Sequence, residues 1–139
     1  PFDYDGRRLL WVDFITQTER HIFIFNLEKK EVEFDRTLDP SFGHISHMFF
    51  LPDNKLFLVK NYNICEIVQI KDKNNFETLF TFGHIGEEAI ATNYFIDPEK
   101  KTTYIITLDI DGNVVTVTIE KAIKEVTGEE VELMASRKN

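Results

Sequence analysis

The chain has a single cysteine, Cys65, among its 139 residues. An internal disulfide is therefore excluded, and a reducing compartment is favoured. Set among apolar strand residues, that thiol is expected to fill core space rather than to react. No apolar run approaches the roughly 18 residues of a membrane span. The opening Pro1-Phe2-Asp3 carries no basic-then-apolar leader pattern. No Asn-X-Ser/Thr acceptor occurs, which also points to an intracellular, cytoplasmic setting. Positive charge is scarce: 16 Lys and Arg stand against 24 Asp and Glu, a net charge of −8. The longest basic cluster, Lys71 to Lys73, is broken by Asp72, so no phosphate-tracking surface and no nucleic-acid partner is expected. The six glycines are scattered rather than gathered into a phosphate loop.

What the chain has in abundance is phenylalanine, 13 residues, mostly alternating with polar neighbours. Alternation of this kind predicts half-buried strands. In the middle of the chain, strands are expected at His47 to Leu51, Leu56 to Lys60, Ile64 to Ile70 and Phe76 to Phe82. Pro52-Asp53-Asn54-Lys55 and Asn61-Tyr62-Asn63 supply the turns between them. The last of these strands is read with Phe76, Thr78, Phe80 and Phe82 on one face. The same order follows at Ala91 to Ile96, Thr103 to Asp109, Val114 to Ile119 and Val131 to Met134. Asp111-Gly112-Asn113 is the hairpin turn of that unit. Residues 120–130 read either as a helical turn or as strand. The first unit has strands at Leu9 to Phe14, His21 to Leu27 and Val32 to Thr37, and only a stub of an opening strand ending at Phe2.

Phe-Gly-His-Ile occurs twice, at Phe42 to Ile45 and Phe82 to Ile85, forty residues apart. A period near 40 with a Gly-His step marks the blades of a β-propeller. The chain resembles, in degenerate form, the WD-repeat propellers. Gly43-His44 and Gly83-His84 fall where that family has its Gly-His step, and Pro52-Asp53-Asn54 matches its turn. The closing Trp-Asp pair is absent: Phe25-Asn26, Val68-Gln69 and Val117-Thr118 stand in its places. The resemblance implies a buried polar network to which His84, Thr107 and Asp111 would belong, with Val117 replacing its Trp; in the middle unit only His44 remains. The missing Trp residues leave room for an NHL-like or nucleoporin-like propeller.

The fold class expected is therefore all-β, with antiparallel four-stranded blades. The partial propeller would run over 1–139, in blades of about 1–40, 41–82 and 83–135 with a tail at 136–139. Propellers close with about 4–8 blades. Three blades and no starting Met suggest a piece of a larger propeller, or else copies that assemble. The partners expected are further blades, in the same or another chain, and other proteins.

Chemistry-bearing constellations are few. No His-X-X-X-His or Cys-X-X-Cys spacing exists, so no metal is expected. Asp109 to Asn113, with Glu120 in twelfth place, resembles part of a calcium loop, but its alternating flank favours a hairpin. Ser41, Ser46 and Ser136 lack a nucleophile elbow. No cofactor and no enzyme activity are expected. Exposed turns remain the candidates for partner binding: Gln17 and Arg20, then Asn61, Tyr62 and Asn63, then Glu87 and Glu88. Tyr62 leads, because an aromatic residue at a tight turn costs little order to immobilise. The acidic balance favours partners with basic patches. The function expected is a non-catalytic interaction scaffold. A structural subunit of a coat, pore or ciliary assembly is the alternative. A ligand- or metal-binding propeller, using Ala91-Thr92-Asn93 and Ser46-His47 in a central channel, is the third reading.

Overall fold

A computed structural model describes residues 1–83 and 88–119, together with the backbone course of strand Leu133–Arg137. The described residues form twelve strands: β1 Phe2–Tyr4, β2 Arg8–Phe14, β3 Arg20–Asn26, β4 Glu31–Leu38, β5 Ile45–Leu51, β6 Lys55–Lys60, β7 Ile64–Ile70, β8 Phe76–Gly83, β9 Ala89–Asp97, β10 Thr102–Asp109, β11 Asn113–Thr118 and β12 Leu133–Arg137. They build three antiparallel sheets of four strands in simple succession: β1 to β4 form sheet 1, β5 to β8 sheet 2 and β9 to β12 sheet 3. The last strand, Leu133–Arg137, takes in Ser136 and Arg137, which were read as tail, and the expected start at Val131 lies outside the described residues. The ladder continues there because Arg137 pairs with Asn113 across the hairpin partner. The expected helical turn at residues 120–126 lies outside the described residues.

Turn chemistry sets the strand ends. Asp5, Asn26, Asp72, Asp97 and Asp109 each accept backbone N–H bonds from residues two to four places on. These side chains stand in for a missing strand partner and hold the chain reversed. Asn61 and Tyr62 both have positive φ, 49° and 71°, the signature of a hairpin turn matched to strand twist.

The sheets stack face to face. Leu10, Ile22, Ile24 and Phe34 of sheet 1 pack on Met48, Phe50, Leu56 and Leu58 of sheet 2. On its other side, sheet 2 sets Phe57, Val59, Cys65 and Ile67 against Ile105, Val115 and Val117 of sheet 3. Sheet 2 is thus buried on both faces, which explains why Leu56-Phe57-Leu58-Val59 is apolar without alternation. The strands of the outer sheets have one buried face and do alternate, as β3 and β10 show. Cys65 is fully buried here, and burial pushes its thiol pKa up to about 12.

Bulges correct two expectations. Ile67 pairs with Phe80 but Val68 pairs with Thr78, so Leu79 is an extra residue in β8. An extra residue flips the faces beyond it. Phe76 therefore packs toward sheet 1, while Phe80 and Phe82 pack toward sheet 3. The three phenylalanines read as one face are split between two cores, and Thr78 is exposed. Glu33 is the matching extra residue in β4. Ser46 in β5 and Ile90 in β9 are likewise matched, and they lie 44 residues apart. The two Phe-Gly-His-Ile segments are therefore not in equivalent places. Phe42-Gly43 sits in and after a 3-10 turn before β5, whereas Phe82-Gly83 is still paired inside β8. The position before β9 that corresponds to His44 is Glu88.

Phe57 is fully buried at the centre of the stack. Phe57→Ala is expected to lower unfolding stability by about 3–5 kcal/mol. Urea titration followed by circular dichroism checks this, and a loss below about 1 kcal/mol would contradict the two-sided core.

Candidate functional site

The connections between sheets meet the β2–β3, β6–β7 and β10–β11 turns along one edge of the stack. A chain of backbone bonds ties them together. Asn61 N–H donates to the His44 carbonyl (2.7 Å), and the Asn61 Oδ1 accepts from His44 N–H (3.1 Å). The Ala89 N–H donates to the Tyr62 carbonyl (2.7 Å), and the Ile110 N–H to the Glu88 carbonyl (3.0 Å). The Tyr62 turn is therefore fastened to both of its neighbours, and its side chain remains 47% exposed.

Gly43 makes this clamp possible. Its φ is 97°, and a Cβ there would come within 2.9 Å of the Asn61 amide. Only glycine adopts that conformation without strain. The Gly43 carbonyl accepts from Arg20 Nη1 at 2.7 Å. Arg20 was expected among the partner-binding residues. It is half-buried, and its Nη1 braces the Gly43 turn.

Between Tyr62 and β9 lies an open cleft of about 370 Å³, lined by His44, Ser46, His47, Tyr62, Glu88 and Ile90, among others. The His44 and Tyr62 rings lie 5.3 Å apart, tilted at 42°. His47 Nε2 meets the Ala89 carbonyl at 2.9 Å. A carbonyl only accepts, so that nitrogen carries the proton. The cleft offers the Tyr62 ring, the imidazoles of His44 and His47, one carboxylate and the exposed Ile90. Such a lining suits a cationic side chain with an apolar stem, held by ring faces and paired with Glu88.

The expected residues are thus partly gathered. Asn61, Tyr62, Asn63 and Glu88 share this edge, joined by His44, which was expected to pack inside a blade. His44 is exposed because its backbone, not its ring, makes the clamp. Gln17 is exposed on the β2–β3 loop, where no hydrogen bond joins it to the cleft among the described residues. Glu87 and His84 lie outside the described residues. Thr107 is buried, with no hydrogen-bond partner for its hydroxyl among the described residues. Asp111 is exposed at its turn, and the buried carboxylate expected of it belongs to Asp109. Asp109 accepts from the N–H groups of Asp111 and Asn113 and from the Asn113 side chain. Ile90 was missed, since nothing in its neighbourhood signals the bulge that turns it outward.

Four of the five channel candidates, Ser46, His47, Thr92 and Asn93, line a second cleft of about 350 Å³ together with Asp3, and Ala91 does not. Ser46 and Thr92 donate to the carbonyls of Val59 and Ile106, and Asp3 accepts from Phe50 N–H. These groups serve the sheets. No cluster of three metal-ligating side chains occurs among the described residues, and no described helix is long and apolar enough to cross a membrane. No protein-family model matches the chain, and no curated protein matches it at a significant level.

In β3 of sheet 1, His21 departs from its ordinary state. Asp35 bonds to His21 Nδ1 and raises the His21 pKa; its charge and that of Glu19 add to the rise, while burial opposes it. Folding is therefore favoured by this group at pH below the unfolded value of about 6.5. The contribution is lost as pH rises through the higher folded value. Asp35→Asn is expected to bring the His21 titration, followed by ring-proton NMR, back toward the ordinary histidine range. An unchanged midpoint would sink the pairing.

Gly43→Ala is expected to cost about 1–3 kcal/mol, the range for forcing a residue into a glycine-only region. Thermal unfolding checks it, and a neutral substitution would show that the clamp on Asn61 is dispensable.

Proposed function

We propose that the three sheets are consecutive blades of a degenerate WD-like β-propeller, and that the chain is a non-catalytic platform for binding other proteins. What supports the blade reading is repetition: four-stranded sheets in simple order, stacked face to face, with matching bulges at Glu33 and Leu79 and at Ser46 and Ile90. The observation that carries the binding reading is Tyr62. It is exposed, yet its turn is fixed by bonds to Ala89 and, through Asn61, to His44. A rigid aromatic anchor loses little entropy on binding, which is how hot spots gain affinity.

The partner this cleft fits is a protein segment presenting Arg or Lys. Its cation would lie over the Tyr62 and His44 rings and pair with Glu88. The net charge of −8 would draw such a segment in, more strongly at low salt. The Ser46 and Thr92 hydroxyls and the Asp3 carboxylate are bonded to backbone groups, and binding rather than bond-making is the role proposed.

The test is an NMR titration with blocked Ala-Arg-Ala and Ala-Glu-Ala tripeptides. The basic peptide is expected to shift signals of His44, Tyr62 and Glu88, and the acidic one is not. Tyr62→Ala or Glu88→Gln should weaken the response at least about tenfold, in line with loss of a hot spot. Shifts scattered over the surface, or unchanged by both variants, would remove the reading.

A further inference from the structure

The outer sheets each leave one face open, and repetition shows what those faces match. The shared bulges place Ile24 of sheet 1 in register with Ile67 of sheet 2. By the same register, Phe2, Tyr4, Leu9 and Phe25 correspond to Met48, Phe50, Leu56 and Val68. In sheet 2 those four are buried under sheet 1. In sheet 1 their counterparts point outward, with Phe2 64% and Tyr4 53% exposed against 4% and 3% for Met48 and Phe50. Trp11 and Phe23 stack between them, 5.3 Å apart.

The other end of the stack carries the complementary half. Phe95, Ile106, Leu108 and Val114 of sheet 3 correspond to Leu51, Phe57, Val59 and Cys65 of sheet 2. The latter are buried against sheet 3, whereas Phe95 is 48% exposed and stacks on Tyr104 at 4.9 Å. The open face of sheet 3 is thus the kind that receives a following sheet. The open face of sheet 1 is the kind that receives a preceding one.

We propose that the outward face of sheet 1 docks the outward face of sheet 3 from a second copy of this chain, so that two copies close a ring of six sheets. The contact continues an interface that already occurs twice within the chain, sheet 1 on sheet 2 and sheet 2 on sheet 3. The count of copies follows from closure. Rings of stacked sheets hold about 4–8 units. The described residues of one copy supply three sheets, and a second copy brings the ring to six, within that range. A two-fold axis through the ring makes both junctions identical, although each joins unlike faces. The inference rests on the stacked-blade reading above, and it is independent of the Tyr62 cleft.

Light scattering on the purified chain tests it. The expected mass is twice the 16.3 kDa of one chain, with a β-type circular dichroism spectrum. Tyr4→Glu and Phe95→Glu alter exposed positions that a single folded copy tolerates, and each should weaken the dimer at least about tenfold. Mixing the two variants should restore association, because one junction of the mixed pair then joins two unaltered faces. A monomer, folded or unfolded, overturns the proposal, as does a mass of three or more copies. A dimer that neither variant weakens, or two variants that mixing does not rescue, overturns it as well. Tyr62→Ala leaves the mass unchanged, so failure of the ring and failure of the cleft are read separately.

Discussion

Burial of the middle sheet on both faces is the constraint on which the rest of the molecule depends. Sheet 2 has no solvent side across β6 and β7, where Leu56 to Val59 and Cys65 to Val68 are all buried. Burying a large apolar side chain completely is worth about 1.5–3 kcal/mol. Sheet 2 gathers such side chains on both surfaces, so sheets 1 and 3 are held through it rather than through each other. The edge where the cleft forms is a consequence. Connections must cross from one sheet to the next, and they converge at the end where Gly43, Asn61, Tyr62 and Glu88 are cross-tied.

That edge is built from bonds to backbone more than from side-chain pairs. Arg20, Asn61 and His47 all spend polar atoms on carbonyl or N–H groups of a neighbouring segment. Satisfying buried backbone groups comes first, because leaving one unpaired is costly. Among the described residues, the groups that the framework does not use are the Tyr62 ring, the Glu88 carboxylate and the side chain of Ile90, which is why the proposed binding reading rests on them. The same division explains why Arg20, read from sequence as a displayed charge, is a brace.

Most strands were legible because period-two alternation and Asx-type turns are local signals. Ile64–Ile70 matches its expected span residue for residue, and other strands differ at their ends. Pairing beyond the turn was less legible. The extra residues at Leu79 and Ile90 have no distinctive local composition, since a bulge is fixed by the facing strand. Their effect is large: one moves Phe76 and Phe80 to opposite cores, and the other turns Ile90 into the cleft. The twin Phe-Gly-His-Ile segments lie 40 residues apart, whereas the matching bulges at Ser46 and Ile90 lie 44 apart, so the two segments fall at different places in their sheets. The Tyr62 turn could be placed in advance, whereas the ring contact of Tyr62 with His44 depended on His44 and Asn61 meeting across 17 residues.

The simple strand order within each sheet has a kinetic side. Each strand pairs with its sequence neighbour, so closing any one sheet requires only short loops. Such local pairing carries a low loop-closure cost and permits fast formation of separate sheets. Their joining is then a linear process, in which each sheet gains only from the sheets beside it. Cooperativity in such an array is graded by position. Amide protons of β6 and β7 exchange only when both stacking contacts open, while those of β1 and of β9 need the loss of one. Within a single copy taken by itself, a slow-exchanging centre and two faster ends are expected, a gradient set by the order of sheets along the chain.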